Sequence, residues 1–185
     1  MSRSMGLILL LAALPGAPAS AAMAAADRAA CEVWQRELAF ARSVQRHDAA
    51  AFAAFLADDS VFDANADTPV RGPQAIVRHW AAILAGKSVR LDWYPQHVVA
   101  SADGTLATSS GPYLFENMGA NAASRYAIGH FSTTWRRAPD GSWRVAFDGG
   151  DSGRPASDKE AGDFRRSRQR ACQRPTAVVL PTIRH

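Results

Sequence analysis

Apolar residues recur at helical spacing over residues 31–47: Trp34, Leu38, Ala41 and Val44 form one stripe, with Phe40 flanking it. The pattern predicts an amphipathic helix. Asp48 has the short acceptor side chain of an N-cap, which predicts a second, short helix carrying Phe52, Phe55 and Leu56. Val61–Ala64 reads as a short strand, and Asn65–Arg71, with Pro69, as a polar loop. Gly72-Pro73 opens a third helix with proline in its first turn, and Ile76, Val77, Trp80, Ile83 and Leu84 lie on its buried side.

After Gly86 the period shortens from helical to strand-like. Val89–Ala100 is predicted as one strand, and Asp103-Gly104 marks a tight hairpin into a strand over Leu106–Glu116. A loop over Asn117–Ala123 follows. Arg125–Arg137 and Trp143–Asp148 then form a second hairpin around Pro139-Asp140-Gly141. From Gly149 onward the chain is rich in Gly, Ser and Arg, with at most a short helix near Lys159–Arg170. Three helices followed by mostly antiparallel strands make an α+β class, with the helices packed on a strongly curved sheet. Helices laid on such a sheet leave a hollow, and mouths of curved sheets are common ligand sites.

The first residues bear on the compartment. Arg3, the apolar run Leu7–Leu14 and the small residues Pro15–Ala26 have the three-part layout of a secretory signal peptide, with a cut expected after Ala21 or Ala26. The run is about half of the roughly 20 residues needed to span a bilayer, so no stable membrane anchor is expected. Residues 1–26 are therefore read as the signal peptide, 27–151 as the folded domain and 152–185 as a basic tail. The location implied is periplasmic or secreted. In an oxidising compartment the two cysteines, Cys31 and Cys172, are expected to pair. The basic balance of the whole chain suggests nucleic acid, but its distribution argues against that partner. Residues 27–151 carry 12 Lys and Arg against 14 Asp and Glu, a net of −2, whereas residues 152–185 carry 8 against 3. The positive charge, on Arg165, Arg166, Arg168, Arg170 and Arg174, reads as a solvated tail without aromatics for base stacking.

Four stretches in order carry a family resemblance: Ala57-Asp58-Asp59-Ser60-Val61-Phe62, Arg71-Gly72-Pro73-Gln74-Ala75-Ile76, Gly129-His130-Phe131 running to Trp135-Arg136-Arg137, and Asp140-Gly141-Ser142-Trp143 ending at Phe147-Asp148. Together they span residues 31–151. They resemble the nuclear transport factor 2-like superfamily of α+β cones, in its SnoaL-like branch with uncharacterised exported relatives. That resemblance implies the fold, but one fold of this kind hosts enzymes, binders and oligomerisation modules alike. In the family's ketosteroid isomerases, the segment matching Ser60-Val61-Phe62-Asp63 carries the general base, so the resemblance places Asp63 on that position. The position matching the oxyanion tyrosine is Phe40, which has no proton to donate.

Other candidate chemistry comes from the residues themselves. His130 and Asp148 lie on neighbouring predicted strands beside Tyr113, and would form a histidine–carboxylate pair with a phenol if all three faced one hollow. Strand alternation puts His130, Ser132 and Thr134 on one face and Phe131, Thr133 and Trp135 on the other. Trp34, Trp80, Trp93, Trp135 and Trp143 read mainly as core, and Phe40, Trp80, Trp93, Tyr113 and Trp135 are the candidate lining of a pocket. No metal site is expected: His47, His79, His97, His130 and His185 make neither a helical i, i+4 pair nor a cluster with cysteine. No cofactor is expected. Gly150-Asp151-Ser152-Gly153-Arg154-Pro155 resembles the nucleophile segment of trypsin-like proteases, but the chain lacks the length for two barrels and the upstream histidine segment. Three functions fit these features. The leading one is an exported domain binding a small apolar or aromatic molecule. The others are a cofactor-free isomerase, cyclase or dehydratase using Asp63 or His130 with Asp148, and a module that dimerises through its sheet with a second copy.

Overall fold

A computed structural model describes residues 19–119, 124–168 and 171–172. The positive start and apolar run of the expected signal peptide, residues 120–123 of the Asn117–Ala123 loop, Arg170 and Arg174 lie outside the described residues. The first helix, α1, runs Ala19–Gln45 and so begins well before residue 31, because the alanine-rich stretch ahead of Cys31 has the highest helix propensity of any residue type. The short α2, Ala49–Ala53, is capped as expected, the Asp48 carboxylate accepting from the Ala51 N–H at 2.9 Å. Leu56 belongs to the next element, β1 (Leu56–Phe62), not to the helix. The polar loop contributes a two-residue strand, β2 (Val70–Arg71), pairing with the end of β1. The third helix is divided at Trp80 into α3 (Pro73–His79) and α4 (Ala81–Ala85), closed by the left-handed Gly86 at φ 61°.

The expected strand over Val89–Ala100 is two strands, β3 (Val89–Trp93) and β4 (His97–Ala100), both paired with β5 (Leu106–Asn117). Pro95 has no N–H for the ladder and sits in the break between them. Opposite it, Gly111 is needed because a Cβ there would collide with the Tyr94 carbonyl. β6 (Tyr126–Arg137), β7 (Trp143–Gly150), β8 (Arg154–Ala156) and α5 (Asp158–Arg166) complete the chain. The sheet order is β2-β1-β7-β6-β5-β3, with β4 added to β5 and β8 to β6. All pairings are antiparallel except β1 with β7. A register shift between Thr134 and Trp135 interrupts the β6–β7 ladder, and such irregularities bend and twist a strand.

Alternation along β5 and β6 sorts the side chains. Ala107, Ser109, Tyr113, Phe131, Thr133 and Trp135 point to the inner face, where α1 packs; His130, Ser132 and Arg136 point outward and are exposed. Phe40 is the hub of the inner core. Its ring stacks on Phe52 at 5.1 Å and meets Trp93 and Trp135 edge-on at 5.3 and 5.8 Å. A second cluster, Trp34, Leu38, Tyr94, Leu114 and Tyr126, is closed by Ala161 and Phe164 of α5, the Phe164 ring lying 5.0 Å from Tyr94.

Residues 152–168 are therefore not the solvated tail expected from their charge. Arg165 reaches Glu116 at 3.5 Å, Arg168 pairs with Asp92, and Arg154 pairs with Glu160 at 2.7 Å. The protease-like stretch Gly150–Pro155 is only the turn from β7 into β8. Cys31 and Cys172 are bonded, with Cα atoms 5.3 Å apart across a separation of 141 residues. Among the described residues no helix is long and apolar enough to cross a membrane. Closing so long a loop removes chain entropy from the unfolded state, so Cys172→Ser should lower unfolding free energy by about 2–5 kcal/mol in urea titration. An unchanged midpoint would mean that the α5 packing alone holds the segment.

Candidate functional site

The end of β1 sets the site. Asp63 follows Phe62 in a left-handed conformation at φ 52°, and its carbonyl accepts from the Ala66 N–H at 2.8 Å. The next N–H, of Ala64, donates to the Asp148 carbonyl of β7 at 3.1 Å. This pinned turn brings Asp63 and Asp148 to the same cleft, of about 360 Å³. Trp80 and Trp93 wall it from the helix and edge-strand side, and Tyr113, Phe115 and Phe131 from the sheet. Asp151, just past β7, completes its rim. His79 of α3 places its Nε2 3.0 Å from Asp63 Oδ2.

Asp148 is half-buried, opposite Thr133, whose hydroxyl donates to Oδ2 at 2.7 Å. Burial pushes its carboxyl up to about 8, and the nearby charges of Glu37 and Asp63 add to the rise against the Thr133 hydrogen bond. Behind Thr133 lies Glu37 of α1, at 0% exposure. Its carboxyl accepts from Trp93 Nε1 at 2.7 Å, from Trp135 Nε1 at 2.8 Å and from the Ser109 hydroxyl. Burial raises its pKa despite these donors. One hydroxyl, Thr133, thus stands between two carboxyls that both tend toward the neutral form.

Tyr113 donates to the Asp151 carbonyl at 2.9 Å; burial and the Asp151 charge keep its phenol protonated. The Asp151 carboxylate accepts from the backbone N–H groups of His130 and Gly153, at 3.1 and 3.0 Å.

Of the residues singled out from sequence, Asp63, Asp148, Trp80, Trp93 and Tyr113 line this one cleft. Phe40 and Trp135 do not: Phe40 lies in the core beneath, and the Trp135 indole is taken up by Glu37. The His130–Asp148 pair is not formed. Register opposes His130 to Pro112 and turns its ring to the outer face, 74% exposed, with Nδ1 3.6 Å from Asp151 Oδ2. Three participants were missed: Glu37, His79 and Asp151. Glu37 had a readable signal, since Val33, Glu37, Phe40, Ala41 and Val44 fall at successive helical positions and put a carboxyl inside an apolar stripe. His79 and Asp151 had none, because each depends on a long-range contact.

A family model described as a SnoaL-like domain matches residues 38–146. No curated protein matches the chain. Among solved structures, a nuclear transport factor 2-like protein of unknown function from Pseudomonas putida is 19% identical, with TM-score 0.55, covering 71% of this chain and 95% of its own. A ketosteroid isomerase-like protein from Erwinia carotovora atroseptica is 17% identical, with TM-score 0.52, covering 67% of this chain and 95% of its own. At these identities the likeness is one of fold.

The raised carboxyls make stability depend on pH in a defined direction. Unfolded, Asp148 returns to the usual range near 4; folded, it holds its proton up to about 8. The native state therefore binds more protons across that window, and stability is fully present below it and lost as pH rises through it, by at most about 1.4 kcal/mol per pH unit. Urea unfolding at about pH 5 and about pH 8 should show this loss. Asp148→Asn should flatten it, and an Asp148→Asn slope equal to wild type would contradict the assignment.

Proposed function

We propose, for a chain that belongs to the SnoaL-like domain family, that it is an exported domain whose cleft binds a small molecule with an aromatic or apolar body and a polar group directed at Asp148. One observation carries this: a cleft of about 360 Å³, within the size range of ligand sites, has apolar aromatic walls and a half-buried carboxyl facing inward. A second buried carboxyl, Glu37, braces Trp93 from behind, so one wall is held before any ligand arrives. The Cys31–Cys172 bond supports export, because such a bond persists in oxidising compartments.

Trp80 and Trp93 supply the assay. Titrating the full chain with a panel of bicyclic aromatics, 2-naphthol among them, should give saturable quenching of tryptophan fluorescence. Ala127→Trp, which fills the cleft from β6, should abolish the quenching while leaving far-ultraviolet circular dichroism intact. Saturable binding that survives Ala127→Trp would place the ligand elsewhere, and no saturable binding at millimolar concentration would sink the reading.

A second reading, cofactor-free proton transfer, is favoured by one feature. Asp63 and Asp148 share the cleft in unlike environments, the arrangement that separates a base from an acid. Its expected outcome is accelerated deuterium uptake at the α-carbon of an enolisable cyclic ketone, lost in Asp63→Ala. A rate unchanged by that substitution removes Asp63 from the role.

A further inference from the structure

We infer that the cleft selects an organic cation, a molecule whose apolar body ends in an amine or quaternary ammonium group. This rests on the small-molecule reading of the same cleft and adds the charge of the ligand.

Three carboxyls line the cleft, Asp63, Asp148 and Asp151, and among the described residues no lysine or arginine does. Their partners are weak neutralisers. Asp148 has the Thr133 hydroxyl; Asp151 has two backbone N–H groups and the His130 ring at 3.6 Å; Asp63 has His79 at 3.0 Å. Elsewhere the domain does pair its acids with arginine: Asp59 with Arg136, Glu32 with Arg137, Asp92 with Arg168, and Glu116 with Arg125 and Arg165. None of the three cleft carboxyls has such an arginine among the described residues, and the low-dielectric walls concentrate the field there.

The walls favour the same ligand. The faces of Trp80, Trp93, Tyr113 and Phe131 carry the negative side of the ring quadrupole, which attracts ammonium groups and repels anions. A metal ion fits poorly. Among the described residues, no group of three His, Cys, Asp or Glu could hold one, and aromatic rings do not replace a metal's water shell.

The groups facing Asp148 define a pH signature. They are Glu37 from α1 behind Thr133, Asp63 from the turn after β1 with its partner His79 from α3, and Asp151 beyond β7. None of them brings a permanent positive charge. A cation in the cleft favours ionised Asp148 and displaces its proton. Affinity should then rise with pH up to about 8 and level off above it.

The test is calorimetric titration of the disulfide-intact full chain with three probes of matched size: benzyltrimethylammonium, its neutral carbon isostere neopentylbenzene, and phenylmethanesulfonate. The cation should bind about tenfold or more tightly than the isostere. The sulfonate should not bind. Asp148→Asn should weaken the cation at least about tenfold more than it weakens the isostere, and should remove most of the rise with pH. The isostere, sensing the same walls without the charge, reports whether the variant's cleft is intact. Equal or tighter binding of the isostere, or a preference for the sulfonate, overturns the cation inference and leaves the small-molecule reading standing. No binding by any probe, with the bicyclic aromatics also silent, overturns both.

Discussion

Glu37 is the residue on which the arrangement of helix and sheet turns. Its carboxyl is removed from water entirely, a transfer that costs several kcal/mol unless its oxygens find donors. The donors come from three strands: Trp93 at the end of β3, Ser109 in β5 and Trp135 in β6. A helix that slid or rotated on the sheet would leave a buried acid and the Trp93 indole N–H unpaired together, so α1 has one seat. Phe40, one turn further along, is fixed by the same seat at the centre of the aromatic core. The inner face is thus specified by a polar contact, while the surrounding rings supply the burial energy.

The cleft inherits this constraint through two residues. Trp93 spends its N–H inward on Glu37 and offers its ring to the cavity, which fixes the wall's orientation. Thr133 spends its hydroxyl on Asp148 while lying against Glu37, so the acid at the cleft responds to the acid in the core. The turn carrying Asp63 is the strained element. A left-handed aspartate is disfavoured by about 1 kcal/mol or more, and it persists where surrounding bonds over-determine it. Here the bonds are Ala64 to Asp148 and Ala66 to Asp63, the contacts that set the two carboxyls along one cavity.

Much of this was legible in order and kind. The change of hydrophobic period after Gly86, the proline at the start of α3 and the glycine-centred hairpins gave the α+β architecture, and four short motifs gave the family. The errors sit where tertiary contacts override local pattern. Val89–Ala100 alternates like one strand, but Pro95 opposite Gly111 breaks it. His130 looked like a partner for Asp148 because both fall on adjacent strands, yet only the register shows that Thr133 is the residue beside Asp148. Phe40 and Trp135 were sound choices as inward aromatics and poor ones as lining, since periodicity identifies a buried face but not which part of it is hollow. Glu37 could have been found, being a charge inside an apolar stripe. His79 and Asp151 could not, because nothing local to either records the partner.

Charge shows the same lesson in a sharper form. Counted along the chain, the arginines after Asp151 suggest a loose cationic tail; in the fold Arg165 and Arg168 are clasps. Arg168 closes on Asp92 at the edge strand, Arg165 on Glu116 on the outer face, and the Cys31–Cys172 bond ties the end of this strap to α1. Between them Phe164 and Ala161 cover apolar surface that the sheet would otherwise expose. The strap therefore neutralises acids of the edge and the outer face and leaves those of the cleft untouched. Arginine thus meets the acids of the edge and the outer face, while among the described residues none reaches Asp63, Asp148 or Asp151 at the aromatic cleft.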